Sequence, residues 1–362
     1  VDIRANSDLA LEELIATRIP VPARPTVVVI IPFYNGSGWV ERAIKSVVAQ
    51  TISPDEFIIV NDGSNPEERL ALGKLAEKYP FRIVDKLNGG QGSARNTGVQ
   101  ASTSEYISFL DQDDFYFPDH IRDLVNALPE SDSRLGFVYA DLCAADGPGR
   151  ILQSHMIRDV PVGNPKQGHI SSLLRHDLFI LPSASLIKRS AFLAVGGFDE
   201  QFMGYEDDDL FLRLFVAGYT NHFTPVSVTA WCQHSGSTSW SIKMSRSRWA
   251  YFMKLSAAFP DDDFTGTYYF RDCLVPRFAP MFIDEAQRLA RSDSKDREEV
   301  LSILSNFADC VARHPSVSSI SKGRIKFTSW ALSRHPSLFF AARRIIRFPV
   351  IRRLLWVARR VL

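Results

Sequence analysis

The chain has 362 residues, 45% apolar and 23% charged, with a formal net charge of +1. These values exclude a disordered chain and a small disulfide-stapled domain, and they describe one large globular domain with extensions. The charge is uneven: residues 311–362 hold 12 Lys or Arg and no acid, leaving 30 basic against 41 acidic residues in the first 310. A mildly acidic body with a basic tail points to an anionic partner for the tail.

Residues 1–25 combine a short amphipathic stretch, Leu9 to Ile15, with a proline-rich arm through Pro20, Pro22 and Pro25. The β-branched run Val27 to Ile31, ended by Pro32, has the composition of a buried parallel strand. Trp39 to Gln50 has helical spacing. Phe57 to Val60 is a second strand, Glu67 to Lys78 a second helix and Arg82 to Asp85 a third strand. Gly89 to Ala101 begins glycine-rich and turns helical, and Tyr106 to Leu110 is the fourth strand. Alternating strands and helices predict a doubly wound, mostly parallel α/β sheet. Gly136 to Leu142 and Ser183 to Ile187 read as further strands, Gly204 to Ala217 as a loop entering a helix, and the chain beyond 245 as mostly helical. The cysteines Cys143, Cys232, Cys273 and Cys310 are widely spaced without a CxxC pair, which predicts structural thiols rather than zinc. Neither a signal pattern nor a run of about 18 apolar residues is visible, so the expectation is neither export nor a membrane span.

In such a sheet, ligands bind beyond the carboxyl ends of the strands. Asn35, Asp62 and the group Asp111, Asp113, Asp114 each follow a strand, so they should converge on one edge. Asp111 and Asp113 lie two apart; on extended backbone they share a side and repel unless a cation separates them. Hard oxygen ligands suit Mg²⁺ or Mn²⁺, and the plain alternative is a solvated helix-capping turn. A second cluster, Glu206 to Asp209, sits at a helix start, where capping competes with a role as general base. A third element, Trp231 to Ser239, offers His234 as a metal or phosphate ligand and Ser237 among possible phosphate-binding hydroxyls.

Seven ordered segments resemble the inverting family 2 glycosyltransferases of the GT-A fold, of the bacterial cell-surface polysaccharide type. They are VVVIIPFYN at 27–35, IIVNDGS at 58–64, NGGQGSARNTGV at 88–99, FLDQDD at 109–114, GGFDE at 196–200, GYEDDDLFLRL at 204–214 and HSGSTS at 234–239. The resemblance implies a Rossmann-like, mostly parallel sheet flanked by helices, with a C-terminal helical extension. It implies a nucleotide pocket of Pro32, Tyr34, Asn35, Asp62, Arg95, Asp111 and Gln112, with Asp62 reading the base N3–H and favouring uracil or thymine. It implies metal ligands Asp113 and His234 for Mn²⁺ or Mg²⁺, and Asp207 as catalytic base. Glu206 and Asp209 stand as rivals, and with Ser237 are placed on the acceptor side. Where the family commonly has Asp-Asp-Gly-Ser, this chain has Asn61 at the first position.

The expected organisation is an arm at 1–25 and a catalytic domain at 26–245, divided into a nucleotide half, 26–115, and an acceptor half, 116–245. A helical extension follows at 246–310 and a basic amphipathic tail at 311–362. In the tail, Arg343, Arg344, Arg347, Arg352, Arg353, Arg359 and Arg360 alternate with Phe339, Phe340, Leu354, Leu355 and Trp356, around Pro349. This pattern predicts helices lying on an anionic membrane rather than binding nucleic acid, with docked helices as the plainer alternative. The expected protein is cytoplasmic and peripheral to the inner face of the cell membrane. It takes a sugar from a nucleotide-sugar donor to a saccharide or lipid-linked saccharide acceptor. A sugar nucleotidyltransferase and a non-catalytic nucleotide-sugar-binding scaffold are the competing readings.

Overall fold

A computed structural model describes residues 24–158, 160, 163–164, 166, 169–234, 241–337 and 339–340. The first half alternates β1 (Val27–Phe33), α1 (Ser37–Val48), β2 (Glu56–Asp62), α2 (Pro66–Ala76), β3 (Arg82–Lys86), α3 (Gln91–Gln100) and β4 (Tyr106–Phe109). The second half contains β5 (Phe115–Tyr116), α4 (His120–Asn126), β6 (Leu135–Asp146), β7 (Ile151–Gln153), α5 (Ile170–Arg175), β8 (Ser185–Lys188), α6 (Arg189–Ala194), α7 (Glu206–Val216) and β9 (Thr220–Gln233). Four further helices follow: α8 (Ile242–Ala258), α9 (Val275–Leu289), α10 (Arg297–Arg313) and α11 (Ser319–Arg334).

The strands form one sheet in the order β3-β2-β1-β4-β8-β6-β9-β5, with β7 added to β6. The β3-β2-β1-β4 part is parallel throughout, as its continuous apolar runs require. Every residue of β1 is buried, so its carboxyl end delivers Tyr34 and Asn35 to the sheet edge without ambiguity of register. Gly98 sets how closely α3 approaches this sheet: a Cβ there would lie 2.5 Å from Ile30 Cγ2. A side chain at 98 therefore pushes α3 off β1, at a cost of about 1–3 kcal/mol.

Beyond β4 the sheet is mixed: β8 pairs antiparallel with β4 and β6, and β6 pairs parallel with β9. The long strand β9 is the main departure from the sequence expectation, which treated Trp231 to Ser239 as one polar loop. Trp231 to Gln233 instead close a 14-residue strand. Pro225 and a half-exposed, irregular pattern hide it, because proline within a run argues against a strand. The equally unexpected β5 pairs with β9, Phe115 opposite Ala230. That short pairing brings the chain after β9 back to the carboxylates after β4.

The four C-terminal helices share a continuous apolar core with the sheet domain. Phe252 of α8 is fully buried, with its ring 5.5 Å from Phe278 and 5.0 Å from Phe307. Among the described residues no helix is long and apolar enough to cross a membrane. The expected arm to residue 23, Ser237 and the arginine-rich segment from 341 onward lie outside the described residues.

Candidate active site

The strand β4 stops at Phe109, and residues 111–114 form a turn closed by the Asp114 N–H donating to the Asp111 carbonyl at 3.1 Å. The backbone is therefore not extended, and the three carboxylates point to different partners. Asp111 Oδ1 accepts from Arg95 and from Gln91 Nε2, each at 2.6 Å. Asp113 Oδ2 lies 2.7 Å from His234 Nε2. Asp114 is buried and accepts the Cys232 N–H at 2.7 Å. Burial, followed by the charge of Asp111, pushes the Asp113 carboxyl up, while the His234 hydrogen bond opposes it. Asp114 is raised well above the usual carboxylate range by burial and by both neighbouring aspartates.

The second cluster begins α7, after Gly204 at φ 118° and Tyr205 at φ 66°. Glu206 accepts the Gly204 N–H at 2.7 Å and faces Arg95 Nη1 at 3.3 Å. Asp208 pairs with Arg277 of α9, which also holds Asp177 at 2.7 Å, and accepts the Leu178 N–H. Asp209 is buried between Arg213 at 2.7 Å and Lys254 at 2.5 Å. Asp207 faces no cation within ion-pair distance among the described residues, and its contact there is the Asp208 N–H at 2.8 Å. Burial, then Glu206 and Asp208, lifts its carboxyl to about 8.

One side chain joins the two clusters. Arg95 of α3 is 3% exposed and reaches Asp111 with one terminal nitrogen and Glu206 with the other. Its guanidinium lies over Phe198 at 5.2 Å and Phe109 at 5.8 Å. Its Nε is buried without a hydrogen-bond partner. The turn after β4 and the start of α7 are thus locked at the two ends of one guanidinium.

On the nucleotide side, the Tyr34 N–H donates to Gln112 Oε1 at 3.0 Å. Asn35, at φ 46°, takes the Asn65 N–H on Oδ1, and its own N–H donates to Ser64 Oγ. Asp62 is 3% exposed and accepts from Gly89 N–H at 2.9 Å, Gly90 N–H at 2.8 Å and Lys86 Nζ at 2.7 Å. Three donors leave acceptor capacity on a carboxylate. Asn61 spans to Asp85 at 2.8 Å, so the departure at this position serves the β2–β3 edge.

Three partners of the site escaped the sequence reading. Trp39 stacks on His234, ring centroids 4.9 Å apart and 10° between planes. Arg42 donates to the carbonyls of Asp113 and Gly147. Lys86 neutralises Asp62. Trp39 and Arg42 follow one another on α1 as surface residues of an ordinary amphipathic helix, and nothing local marks them. Lys86 carried a faint signal, a basic residue at a strand end beside two other polar strand ends.

The donor set of Asp113 and His234, with Asp111 in the same turn, has the oxygen and imidazole chemistry that suits a divalent cation. Among the described residues no three His, Cys, Asp or Glu side chains are gathered as a closed metal centre. These residues fit a cation whose remaining ligands come from a substrate. A cleft of about 640 Å³ lies elsewhere, lined by Asn96, Phe198, Asp199, Arg213 and Lys254. Asn96, Asp199, Arg213 and Lys254 are hydrogen-bonded or ion-paired to one another's surroundings, and the carboxylates at 111–114 do not reach the cleft.

Residues 28–195 match the model of glycosyl transferase family 2, and residues 182–234 that described as the N-terminal domain of galactosyltransferase. An uncharacterised glycosyltransferase of Rickettsia prowazekii is 34% identical over 197 residues, covering 53% of this chain and 59% of that protein. Another, of Rickettsia bellii, is 33% identical over 191 residues, 53% of this chain but 27% of that protein. The chain thus spans less than two thirds of the length of these relatives. In fold it is similar to S. aureus TarS 1-349 in complex with UDP-GlcNAc, with a TM-score of 0.59, 14% identity and coverage of 88% of this chain and 92% of that one. It is also similar to the mannosyltransferase PcManGT of Pyrobaculum calidifontis in complex with GDP-Man and Mn²⁺, at TM-score 0.50, 20% identity and coverage of 88% and 84%. The sheet and these likenesses show the fold of the GT-A glycosyltransferases. Within that fold, residues 28–195 carry the likeness to glycosyl transferase family 2.

Proposed function

We propose that this protein is a metal-dependent inverting glycosyltransferase, a hexosyl- or N-acetylhexosaminyl-transferase. Its donor is a nucleotide-sugar, a UDP-sugar in first place, and its acceptor a hydroxyl of a saccharide, lipid-linked, in surface glycan biosynthesis. The enzyme works at the inner face of an anionic membrane, held there by its C-terminal basic segment. The observation that carries the reading is the Arg95 bridge, which joins a cation-binding turn to a base-bearing helix start through one guanidinium.

Asp62, Asn35, Tyr34, Pro32 and Gln112 surround the nucleotide. Asp62 orders the glycine loop at 89–90 and keeps one acceptor position for the base. Asp113 and His234 hold the divalent cation, which when bound neutralises the diphosphate leaving group. Asp207 takes the proton of the acceptor hydroxyl as that oxygen forms its bond to the anomeric carbon. The bond from that carbon to the diphosphate breaks, and the nucleoside diphosphate leaves with its electron pair. One carboxylate opposite the leaving group suffices, so the configuration inverts. A carboxyl lifted to about 8 is a far stronger base than an ordinary one. Glu206 is held by Arg95 and Gly204, and Asp209 by two cations, which supports Asp207 over its rivals.

The test is nucleoside diphosphate release from a panel of UDP-, GDP-, dTDP- and CDP-sugars with Mn²⁺ and a membrane glycolipid extract, with the anomeric configuration of the product read by NMR. The expected result is release from one donor class and an inverted product. Formation of pyrophosphate from a nucleoside triphosphate would mark a nucleotidyltransferase instead, and no turnover of any donor a binding scaffold.

A further inference from the structure

Helix α11 carries two apolar faces. One packs inward through Ile325, Ser329, Ala331 and Leu332, all buried. The other looks outward. Ile320, Phe327 and Trp330 are 76%, 62% and 53% exposed. With Gly323 and Arg334 they follow helical spacing along a single stripe. The Phe327 and Trp330 rings lie 5.9 Å apart, so the stripe is a contiguous apolar surface rather than scattered side chains.

Cations rim that stripe on both sides. Arg324 is exposed on one flank and Lys326 on the other, beside Lys322. The helix contains no acidic residue, and Lys326 pairs with Asp309 of α10. An apolar ridge of Trp, Phe and Ile with exposed Arg324 on one flank and Lys326 on the other matches the profile of a lipid–water interface. Rings enter the acyl boundary while long basic side chains reach the anionic headgroups. A second copy of the chain is a poor occupant, because a two-fold pairing would set the same cationic rims against each other.

We propose that the outward face of α11 is a membrane-docking surface for anionic phospholipid, formed by Ile320, Phe327 and Trp330 and flanked by Arg324 and Lys326. The proposal rests on the membrane-associated reading but assigns it to a rigid helix of the folded body, upstream of the arginine-rich segment. It gives the enzyme a fixed orientation: α11 packs on α10 and α9, whose Arg277 holds the start of α7. The start of α7 is therefore presented to the membrane at a set angle rather than on a loose tether.

The experiment is co-sedimentation of the full chain with phosphatidylcholine vesicles, with and without about one third phosphatidylglycerol. Wild type is compared with Phe327→Ser/Trp330→Ser, Arg324→Gln/Lys326→Gln and a deletion of 335–362. The aromatic variant should bind anionic vesicles at least about tenfold more weakly. The charge variant should lose the dependence on anionic lipid, and the deletion should keep measurable binding. Unchanged thermal midpoint and nucleotide binding exclude misfolding. Normal binding by the aromatic variant, together with loss of binding on deletion, would assign docking to the segment after 335 and overturn the proposal. Absence of wild-type binding would overturn both this proposal and the membrane reading. Conversion of a wild-type dimer to a monomer by the aromatic variant, with vesicle binding unchanged, would make the face a self-association surface.

Discussion

The two acidic clusters, residues 111–114 and 206–209, look alike as strings and differ in what surrounds them. In the first, each carboxylate has a separate receiver: a guanidinium, an imidazole and a backbone N–H. In the second, Glu206, Asp208 and Asp209 are held by Arg95, Arg277 and the Arg213–Lys254 pair. Asp207 alone has no cation partner among the described residues, and burial, then Glu206 and Asp208, raises it. An acid run is thus not a set of equivalent candidates. Partners subtract its members from the chemistry, and the remaining one is identified by what it lacks. The first cluster is arranged to receive charge, the second to keep one proton site free.

The comparison breaks most sharply at Asp207. Asp207→Asn should lower kcat for transfer about 10²–10⁴-fold with nucleotide binding intact, measured by diphosphate release and calorimetry. Equal loss in Asp209→Asn alone would shift the role along the helix. Next in size is the clamp. Arg277→Met leaves Asp208 buried without its cation and should cost about 3 kcal/mol in denaturant unfolding. That is the low end for such a loss, because Asp208, already near 6, can take up a proton instead. The variant should accordingly be less destabilised at acid pH.

The pH dependence sharpens the same point. Transfer needs the Asp207 anion, so kcat/KM should fall about tenfold per unit below pH 8 and level off above it. Stability runs the other way. The folded state holds a proton that the unfolded state releases near 3.8, so this group's contribution is present below 3.8 and is lost as pH rises toward about 8. A flat kcat/KM profile from pH 6 to 9 would remove Asp207 from the proton transfer. The smallest effect belongs to Trp39→Ala. It removes the stack on His234 and should weaken metal-dependent nucleotide binding by about 0.5–1.5 kcal/mol, seen by calorimetry, with little change in kcat once saturated.

Much of this was legible in the sequence. Buried parallel strands announce themselves by β-branched runs, so β1, β2 and β4, and the polar residues at their ends, fall where expected. What the strand pattern does not encode is pairing across long sequence separations. The strand β9 is irregular and half exposed, so the return of His234 to Asp113 is invisible locally. The same holds for Arg277, which lies 69 residues from the aspartate it holds. The assumption that Asp111 and Asp113 share one side failed because the strand ends two residues before Asp111. The outward face of α11 shows the converse. Its sequence has the apolar periodicity of a packed helix, and exposure alone separates the face that packs from the face that does not.

The division of work between the two clusters is tested most directly by calorimetry of nucleoside diphosphate binding, with and without Mn²⁺, to wild type, Asp113→Asn and Asp207→Asn. The account predicts metal-dependent binding of one diphosphate by wild type, its loss in Asp113→Asn, and wild-type affinity in Asp207→Asn. Equal binding by all three, or loss in both variants alike, would contradict it.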